Sequence, residues 1–417
     1  MDRREQVLGA LEALEYRATV GDVAARSGLD LALAQQELNA IAQDSNGHLQ
    51  VAGTGEVIYA FDRNVRDRLI ARDRNAQLKA FLRKVWQGLF YLVRISFGVL
   101  LILSLVIVAV GIYIALNSRD SNDRGDSRDG GGMPLFFGGD WFYIFYPTYY
   151  PDEPRARPRR EMGFLESVFS FLFGDGDPNA DLESERWRTV AALIQANRGV
   201  VVAEQLAPYL EEARVDNEDY VLPALVRFNG IPEVSEQGEI VYRFPELQVQ
   251  AQERPTSAPK ASFLQEQRWR FSRATSGQLL LAGLLGGANF LGAWYLFFLL
   301  QGRYLPPDLA LLHALTPILV IYGTLFVAIP AVRAIVLTQL NSRIAERNRS
   351  RSGFAQFLRD ANAELKRKLA FARTYAERKV IGKDDIIYTT EKDVVEQRDY
   401  ALDDPRFQAL EEPQDRP

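Results

Sequence analysis

The chain has 417 residues, of which 47% are hydrophobic and 25% charged, with a formal net charge of −5. It contains no cysteine, which excludes disulfides, thiol catalysis, and zinc or iron–sulfur sites held by its own thiolates. Its two histidines, His48 and His313, lie in different kinds of segment, so we predict no metal site built on paired imidazoles. The first residues lack an apolar stretch, and we predict no cleavable targeting peptide there.

Residues 1–75 are predicted to form a winged-helix-like domain. Helical spacing, capping residues and strand alternation follow one another in the order helix, helix–turn–helix and β-hairpin. The predicted elements are a helix over 5–15, a helix with Thr19 as N-cap that ends at Gly28, a helix over 31–42 with Asp30 as N-cap, and strands over 48–51 and 56–61.

Residues 85–116 are predicted to contain the first transmembrane helix. The last 22 of these residues carry no charge, and about 20 suffice to cross a bilayer. Residues 117–180 then combine a polar linker with an aromatic run over 133–150, for which a span, a re-entrant segment and an interfacial segment all remain open. The amphipathic stretch 163–173 is a further interfacial candidate. We predict an interaction site in the aromatic run, at Trp141, Phe142, Tyr143, Phe145 and Tyr146.

Residues 181–250 are predicted to form a second winged-helix-like domain. The string GEIVYRF (238–244) matches GEVIYAF (55–61) at the same place in each domain, which indicates an internal repeat. Pro223 falls inside its third helix and is expected to kink or shorten it. The predicted elements are helices over 187–196, 201–210 and 217–228 and a hairpin over 231–244.

Residues 276–333 are predicted to form a transmembrane helical hairpin, and residues 340–410 a basic helix and tail. Basic clusters before the first and second spans and after the third favour the cytoplasmic side for these ends. With one span between them, the two domains would then lie on opposite sides of the membrane, unless the aromatic run returns the chain to the cytoplasmic side. The basic helix packs on a soluble domain, or contacts anionic lipid or the acidic domains, and both readings remain open. A late strand is predicted over 386–390.

Both predicted winged-helix domains are acidic. Residues 1–62 hold ten acidic and four basic side chains, and residues 181–247 hold thirteen and six. The third helix of the first domain, LALAQQELNAIAQ, has no Lys or Arg. Because DNA affinity rests on basic side chains that neutralise phosphates, direct nucleic-acid binding is unlikely by this measure and protein contact is favoured.

No catalytic motif is recognisable, and we predict no catalytic residue, cofactor or metal ion. The strings GGDWFYIFYPTYY, FLESVFSFLFGDGDPN, VVAEQLAPYL and IIYTTEKDVVEQ resemble a functionally uncharacterised membrane protein family of cyanobacteria and plant plastids. Some plant members of that family are labelled iron–sulfur cluster biosynthesis proteins, although this chain has no thiolate to ligate a cluster. The resemblance implies a cyanobacterial-type plasma or thylakoid membrane.

These observations predict an α+β protein: two winged-helix-like domains attached to a membrane region of about three transmembrane helices, with a C-terminal basic helix. We expect a non-enzymatic integral membrane scaffold or assembly factor, in contact with lipid and with a protein partner at the cytoplasmic face. One alternative is a membrane-tethered DNA-binding regulator. Another is a transporter or enzyme with a site near His313.

Overall fold

The computed structural model describes residues 3–72, 74–117, 162–211, 213, 217–254, 259, 261–301, 310–382 and 384–391. The N-terminal elements are α1 (Arg3–Ala13), β1 (Arg17–Thr19), α2 (Val20–Ser27), α3 (Leu31–Ser45), β2 (His48–Ala52), β3 (Val57–Ala60), α4 (Val65–Arg72) and α5 (Arg74–Asn117). The central elements are α6 (Phe164–Phe173), α7 (Leu182–Ala196), β4 (Val200–Val201), α8 (Ala203–Leu206), a 3₁₀ turn (Asp219–Val221), α9 (Leu222–Phe228), β5 (Ile231–Val234), β6 (Ile240–Arg243), α10 (Pro245–Gln248) and β7 (Val249–Gln250). The C-terminal elements are α11 (Ser276–Leu300), α12 (Ala310–Arg359), α13 (Ala363–Thr374), β8 (Lys379–Val380) and β9 (Ile386–Thr389).

The chain divides into two compact units. Unit 1 comprises Met1–Leu78, Asn179–Gln267 and Ala345–Pro417, and unit 2 comprises Lys79–Pro178 and Arg268–Ile344. Unit 1 therefore holds both predicted soluble domains and the C-terminal segment. We call residues 3–62 the first module and residues 182–245 the second module.

The first module is held by the capping residues that its sequence predicts. Thr19 and Asp22 form a reciprocal capping box at the start of α2, which satisfies N–H groups that have no partner inside the helix. Gly28, with φ of 78°, ends α2 in the left-handed region that glycine adopts readily. Asp30 caps α3. The strands form an antiparallel sheet of order β1-β3-β2, which β9 extends on the β2 side.

The second module repeats this backbone, and each of its residues is numbered 183 higher than its counterpart. The Phe61 N–H donates to Tyr16 O, and the Phe244 N–H donates to Gly199 O. Its sheet, of order β4-β6-β5, matches β1-β3-β2 strand for strand. The repeated bonds extend to the loops: Gly47 N–H donates to Ala42 O and Gly230 N–H to Leu225 O, and Tyr16 N–H donates to Leu11 O and Gly199 N–H to Ile194 O.

The second and third helices of the second module are shorter than the sequence predicts, whereas its first helix, α7, begins five residues before the predicted 187–196. The expected second helix over 201–210 is the single turn α8, because Val200 and Val201 pair with β6 as strand β4. The expected third helix over 217–228 consists of the 3₁₀ turn followed by α9. Pro223 lies in the first turn of α9, where its missing N–H breaks no helical hydrogen bond. Proline therefore marks the start of this helix and does not kink it.

The two modules share one hydrophobic core within unit 1. Buried residues of the first module, such as Leu11 and Leu38, belong to the same cluster as Trp187 and Phe228 of the second. Helices α2 and α7 approach closely, since a Cβ at Gly28 would overlap the backbone of Ser184. Removal of this much apolar surface from water ties the modules into one body.

The C-terminal segment packs on both modules. Leu365 and Ala372 of α13 form a buried cluster with Val200, Val202 and Val241 of the second module. Strand β8 pairs in parallel with β7, and β9 pairs antiparallel with β2, which confirms the predicted late strand. The basic stretch is divided: its first part continues α12, and Asn362 caps a separate helix, α13.

Among its described residues, unit 2 contains three helices that are long and apolar enough to cross a membrane. These candidate spans are Lys84–Leu116 within α5, the whole of α11, and the apolar part of α12. The short helix α6 packs against them, with Phe164, Val168 and Leu172 buried beside Leu101 and Phe326. The stretch predicted as interfacial is therefore part of the helical core of this unit.

Candidate interaction surface

The third helix of the second module exposes apolar side chains. Leu222 is 54% exposed and Val226 is 79% exposed, and their i,i+4 spacing places them on one face of α9. The equivalent residues of the first module, Asn39 and Gln43 on α3, are exposed and polar. Neither pair fills the core, but Asn39 accepts a hydrogen bond from the hydroxyl of Tyr59 at 2.7 Å, whereas the equivalent Tyr242 donates to Glu218.

Strand β5 continues the apolar character of this module. Ile231 and Val234 are exposed, Val234 at 62%. Among the described residues no strand pairs with the outer edge of β5, whereas the equivalent strand β2 is covered by β9. Exposed large apolar side chains on two successive elements are typical of a surface that binds another protein.

The edge of β2 is closed by specific backbone bonds. Leu49 N–H donates to Thr390 Oγ1 at 2.9 Å, and Thr390 N–H donates to Leu49 O at 3.0 Å. The residue equivalent to Leu49 is Pro232, which has no N–H to donate. The second module therefore cannot accept an added strand in the manner of the first.

Acidic side chains surround the second module, and the C-terminal helix neutralises some of them. Lys368 of α13 lies 2.9 Å from Glu204 and 3.0 Å from Glu218. Burial alone would lower the pKa of Lys368, but its hydrogen bonds to both carboxylates outweigh this and raise it. Asp219 and Glu236 remain exposed near α9 and β5. The apolar surface therefore has an acidic border.

The third helices carry no row of cations. The exposed residues of α3 are uncharged: Ala32, Gln35, Gln36, Asn39 and Gln43. The basic residue of α9, Arg227, stacks on Trp187 at 4.6 Å and donates to Gly28 O at 2.8 Å. Its guanidinium group thus contacts both modules and has a structural role.

A groove of about 880 Å³ lies between α1, α2 and α7, with Asp22 and Gln250 among its lining residues. Asp22 accepts hydrogen bonds from Thr19 N–H at 3.2 Å and Ala251 N–H at 2.9 Å. Burial is the largest influence on Asp22 and raises its pKa, although these bonds oppose it. Its role in the described structure is to cap α2 and fix the strand that follows α10.

Glu266 is the centre of a buried ionic cluster in unit 1 that sequence patterns did not reveal. Its carboxylate accepts hydrogen bonds from Arg347 and, at 2.8 Å, from Arg351. Burial alone would raise the pKa of Glu266, but the two guanidinium groups lower it. Each pair joins residues more than 80 positions apart, so no local signal could have predicted it.

A second ionic cluster lies in unit 2, at one end of the helices. Asp175 accepts from Arg94 at 2.6 Å, from Ser170 and from the N–H of Arg273, while Arg333 donates to carbonyls at the end of α6. Arg94 inside the first candidate span, the residues just before the second span and the end of the apolar part of α12 therefore meet. At the other end Ala115, near the end of α5, packs with Leu300.

None of the predicted interaction residues, Trp141, Phe142, Tyr143, Phe145 and Tyr146, can be placed, because they lie outside the described residues. His313 is exposed on α12, and His48 lies on β2 in the other unit. No group of three or more potential metal ligands occurs in the part of the chain that the structure describes. The exposed face of α9 could have been found from sequence only by aligning the two modules at their common offset.

No protein-family model matches the chain, and no solved structure matches it significantly. A plant protein does match: the uncharacterized chloroplastic protein At5g03900 of Arabidopsis thaliana is 38% identical over 436 residues, which cover 98% of this chain and 83% of the plant protein. A chloroplastic relative and three apolar helices are compatible with a plastid membrane location. The match adds no support for an iron–sulfur role. The chain belongs to the family of this chloroplastic Arabidopsis protein.

Proposed function

We propose that this protein is a non-enzymatic membrane scaffold or assembly factor whose second module holds a protein partner. The observation that carries the proposal is the exposed apolar face of α9, formed by Leu222 and Val226, where the first module has Asn39 and Gln43. An exposed apolar face lowers solubility unless another surface covers it, and a bound protein would provide that cover.

The two modules are tandem winged helices in this proposal. Each follows the order helix, strand, helix, helix, strand, strand, and each has its N-terminal strand beside the last strand of the hairpin. In winged helices that bind DNA, the third helix makes the specific contacts. Here α9 occupies that position and presents apolar side chains, which suits a protein surface.

The alternative, a membrane-tethered DNA-binding regulator, has less support. Neither third helix presents a cation to solvent, since α3 has none and Arg227 of α9 is held by Trp187 and Gly28. The modules themselves are acidic, and an acidic surface repels a polyanion.

In this proposal the surface of the partner that contacts α9 is apolar at its centre and basic at its rim. The centre follows from Leu222 and Val226, and the rim from the exposed carboxylates of Asp219 and Glu236. Charge complementarity of this kind accelerates encounter and excludes acidic competitors.

We place both modules on the same membrane face, because they share one hydrophobic core. Arg94, Arg273 and Arg333 meet at one end of the spans, and the positive-inside rule assigns such an end to the cytoplasmic or stromal side. The aromatic run 133–150, for which a span, a re-entrant segment and an interfacial segment remain open, lies outside the described residues.

The test is site-specific photocrosslinking in intact membranes. A photoreactive residue replaces Val226 in one variant and the equivalent Gln43 in a matched control. We expect one defined protein adduct at Val226 that is absent at Gln43 and lost when Leu222→Asn is added. Equal labelling at both sites would contradict the proposal, and so would salt-sensitive retention of the full-length protein on duplex DNA through α3 or α9.

A further inference from the structure

A short basic segment of unit 2 leads into the second candidate span. Arg268, Arg270 and Arg273 are exposed, and their side chains have no hydrogen bond or ion pair with any residue that the structure describes. The helix α11, which is this span, begins at Ser276, three residues after Arg273. The segment therefore carries positive charge next to a span, and the described part of the chain does not neutralise it.

The backbone of this segment is held against α12 at two residues. Trp269 donates its N–H to Asn341 Oδ1 at 2.8 Å and accepts at its carbonyl from Asn341 Nδ2 at 2.9 Å. The carbonyl of Phe271 accepts from Arg333, whose guanidinium also stacks on the Phe271 ring at 4.6 Å. Both Asn341 and Arg333 belong to α12. The path of the segment along this helix is therefore fixed.

Arg268 and Arg270 alternate with these two held residues. Their α-carbons are at most about 7 Å apart, because two residues of chain span no more than that. At this separation both guanidinium groups can reach the oxygens of one phosphate group, which arginine binds with paired hydrogen bonds. A fixed backbone also lowers the entropic cost of bringing the two side chains to one ligand.

We propose that Arg268 and Arg270 bind the phosphate group of an anionic phospholipid. The segment continues into α11, where Leu280 and Leu284 are 66% and 63% exposed, as on a helix that faces lipid. A phospholipid of the bilayer can therefore place its headgroup at the arginines while its acyl chains stay in the membrane. Trp269, between the two arginines, is of the residue type enriched at headgroup level. Basic groups next to a span attract anionic headgroups.

The charges around the segment favour an anion. The carboxylate of Asp175 is engaged by Arg94 at 2.6 Å and by the N–H of Arg273 at 2.7 Å. It is therefore occupied at the far end of the segment from Arg268. A zwitterionic headgroup would bring a second cation close to the arginines, and like charges repel. An anionic headgroup brings none, so it is the preferred ligand.

The test counts the lipids that remain bound to the full-length protein. The protein is reconstituted in nanodiscs with equal amounts of phosphatidylglycerol and phosphatidylcholine, released, and measured by native mass spectrometry. We expect wild type to retain phosphatidylglycerol preferentially. Arg268→Gln with Arg270→Gln should retain about tenfold less of it, because each cation near the headgroups contributes to binding.

The matched control is Lys84→Gln with Arg343→Gln, which removes the same charge from exposed side chains of α5 and α12 in unit 2. Arg343 lies about 200° around α12 from Asn341, so it is on the side away from the segment. This control should retain as much phosphatidylglycerol as wild type. Equal retention by the two double variants would overturn the proposal, and so would equal retention of both lipids by wild type.

Inorganic phosphate separates the two sources of the same chemistry. Added in excess to the nanodiscs before release, it should leave phosphatidylglycerol bound, because the acyl chains hold this lipid at the site. Displacement would assign the arginines to a free anion and overturn the lipid assignment. Circular dichroism should show equal helix content in all variants, and a loss in Arg268→Gln with Arg270→Gln would assign these arginines to the fold instead. This site does not depend on α9, so it can fail while the proposed function stands.

Discussion

The first and second modules have the same backbone hydrogen bonds and different surfaces. Buried positions keep apolar residues, as at Val7 and Val190. Exposed positions on the third helices diverge, from Asn39 in the first module to Leu222 in the second. The chain's own strand β9 covers the hairpin edge of the first module, whereas the second module leaves its edge open. Comparing the two modules therefore separates the positions that packing holds apolar from the exposed positions that are free to differ.

The largest expected loss of stability comes from removing a phenylalanine ring from the core. Comparing this loss between the modules tests whether they contribute equally to the core. Phe244 is fully buried and its ring lies against Gly230, while the equivalent Phe61 is half-buried. Phe244→Ala should lower the free energy of unfolding by about 3–5 kcal/mol, and Phe61→Ala by clearly less. Denaturant titration followed by circular dichroism measures both. Equal losses in the free energy of unfolding would show that Phe61 and Phe244 contribute equally to the core.

The next largest effect is expected from exchanging the equivalent residues Leu49 and Pro232 at the hairpin edges of the two modules. Leu49→Pro removes the N–H that binds Thr390 and should cost about 1–3 kcal/mol, with release of β9. The reverse change, Pro232→Leu, should alter stability by about 0.5 kcal/mol or less because that edge is unpaired. Hydrogen exchange of residues 384–391 reports the release. Wild-type exchange there in Leu49→Pro would contradict the role given to this bond.

A smaller effect concerns the capping residue of the second helix, which is Asp22 in the first module and Gln205 in the second. Asp22→Asn should change stability at neutral pH by about 1 kcal/mol or less, because the amide keeps an acceptor and removes a buried charge.

The pH dependence of stability follows from the direction in which folding shifts the pKa of Asp22. Burial raises the pKa of Asp22 in the folded state, so the folded protein binds the proton at higher pH than the unfolded chain. Wild type should gain stability relative to Asp22→Asn as the pH falls through the folded pKa, and the gain should level off near 3.8. A difference that does not vary with pH would indicate that the pKa of Asp22 is the same in the folded and unfolded states.

The smallest expected effect on stability comes from giving the second module the surface of the first. Leu222→Asn with Val226→Gln changes only exposed side chains and should shift the free energy of unfolding by about 0.5 kcal/mol or less. Partner crosslinking should nevertheless be lost. A large loss of stability would mean that these side chains serve the fold, and the comparison between the modules would no longer separate binding from packing.

Local patterns predicted much of the first module. The caps Thr19 and Asp30 and the terminator Gly28 act where the sequence places them, because each bonds within its own turn. The short strands β1 and β4 were both missed, since strands of two or three residues have no periodicity. The ionic centre at Glu266 was also missed, because its partners are distant in sequence.

The sequence by itself determined the three candidate spans among the described residues and the acidic charge of both modules, because each depends on the composition of one continuous stretch. Only the tertiary structure decided that β9 covers β2, that both modules share one core, and that Leu222 and Val226 of α9 are exposed. Exposure depends on which distant segments come to pack on a surface. A local sequence pattern shows that a side chain is apolar, but it does not show whether anything covers it.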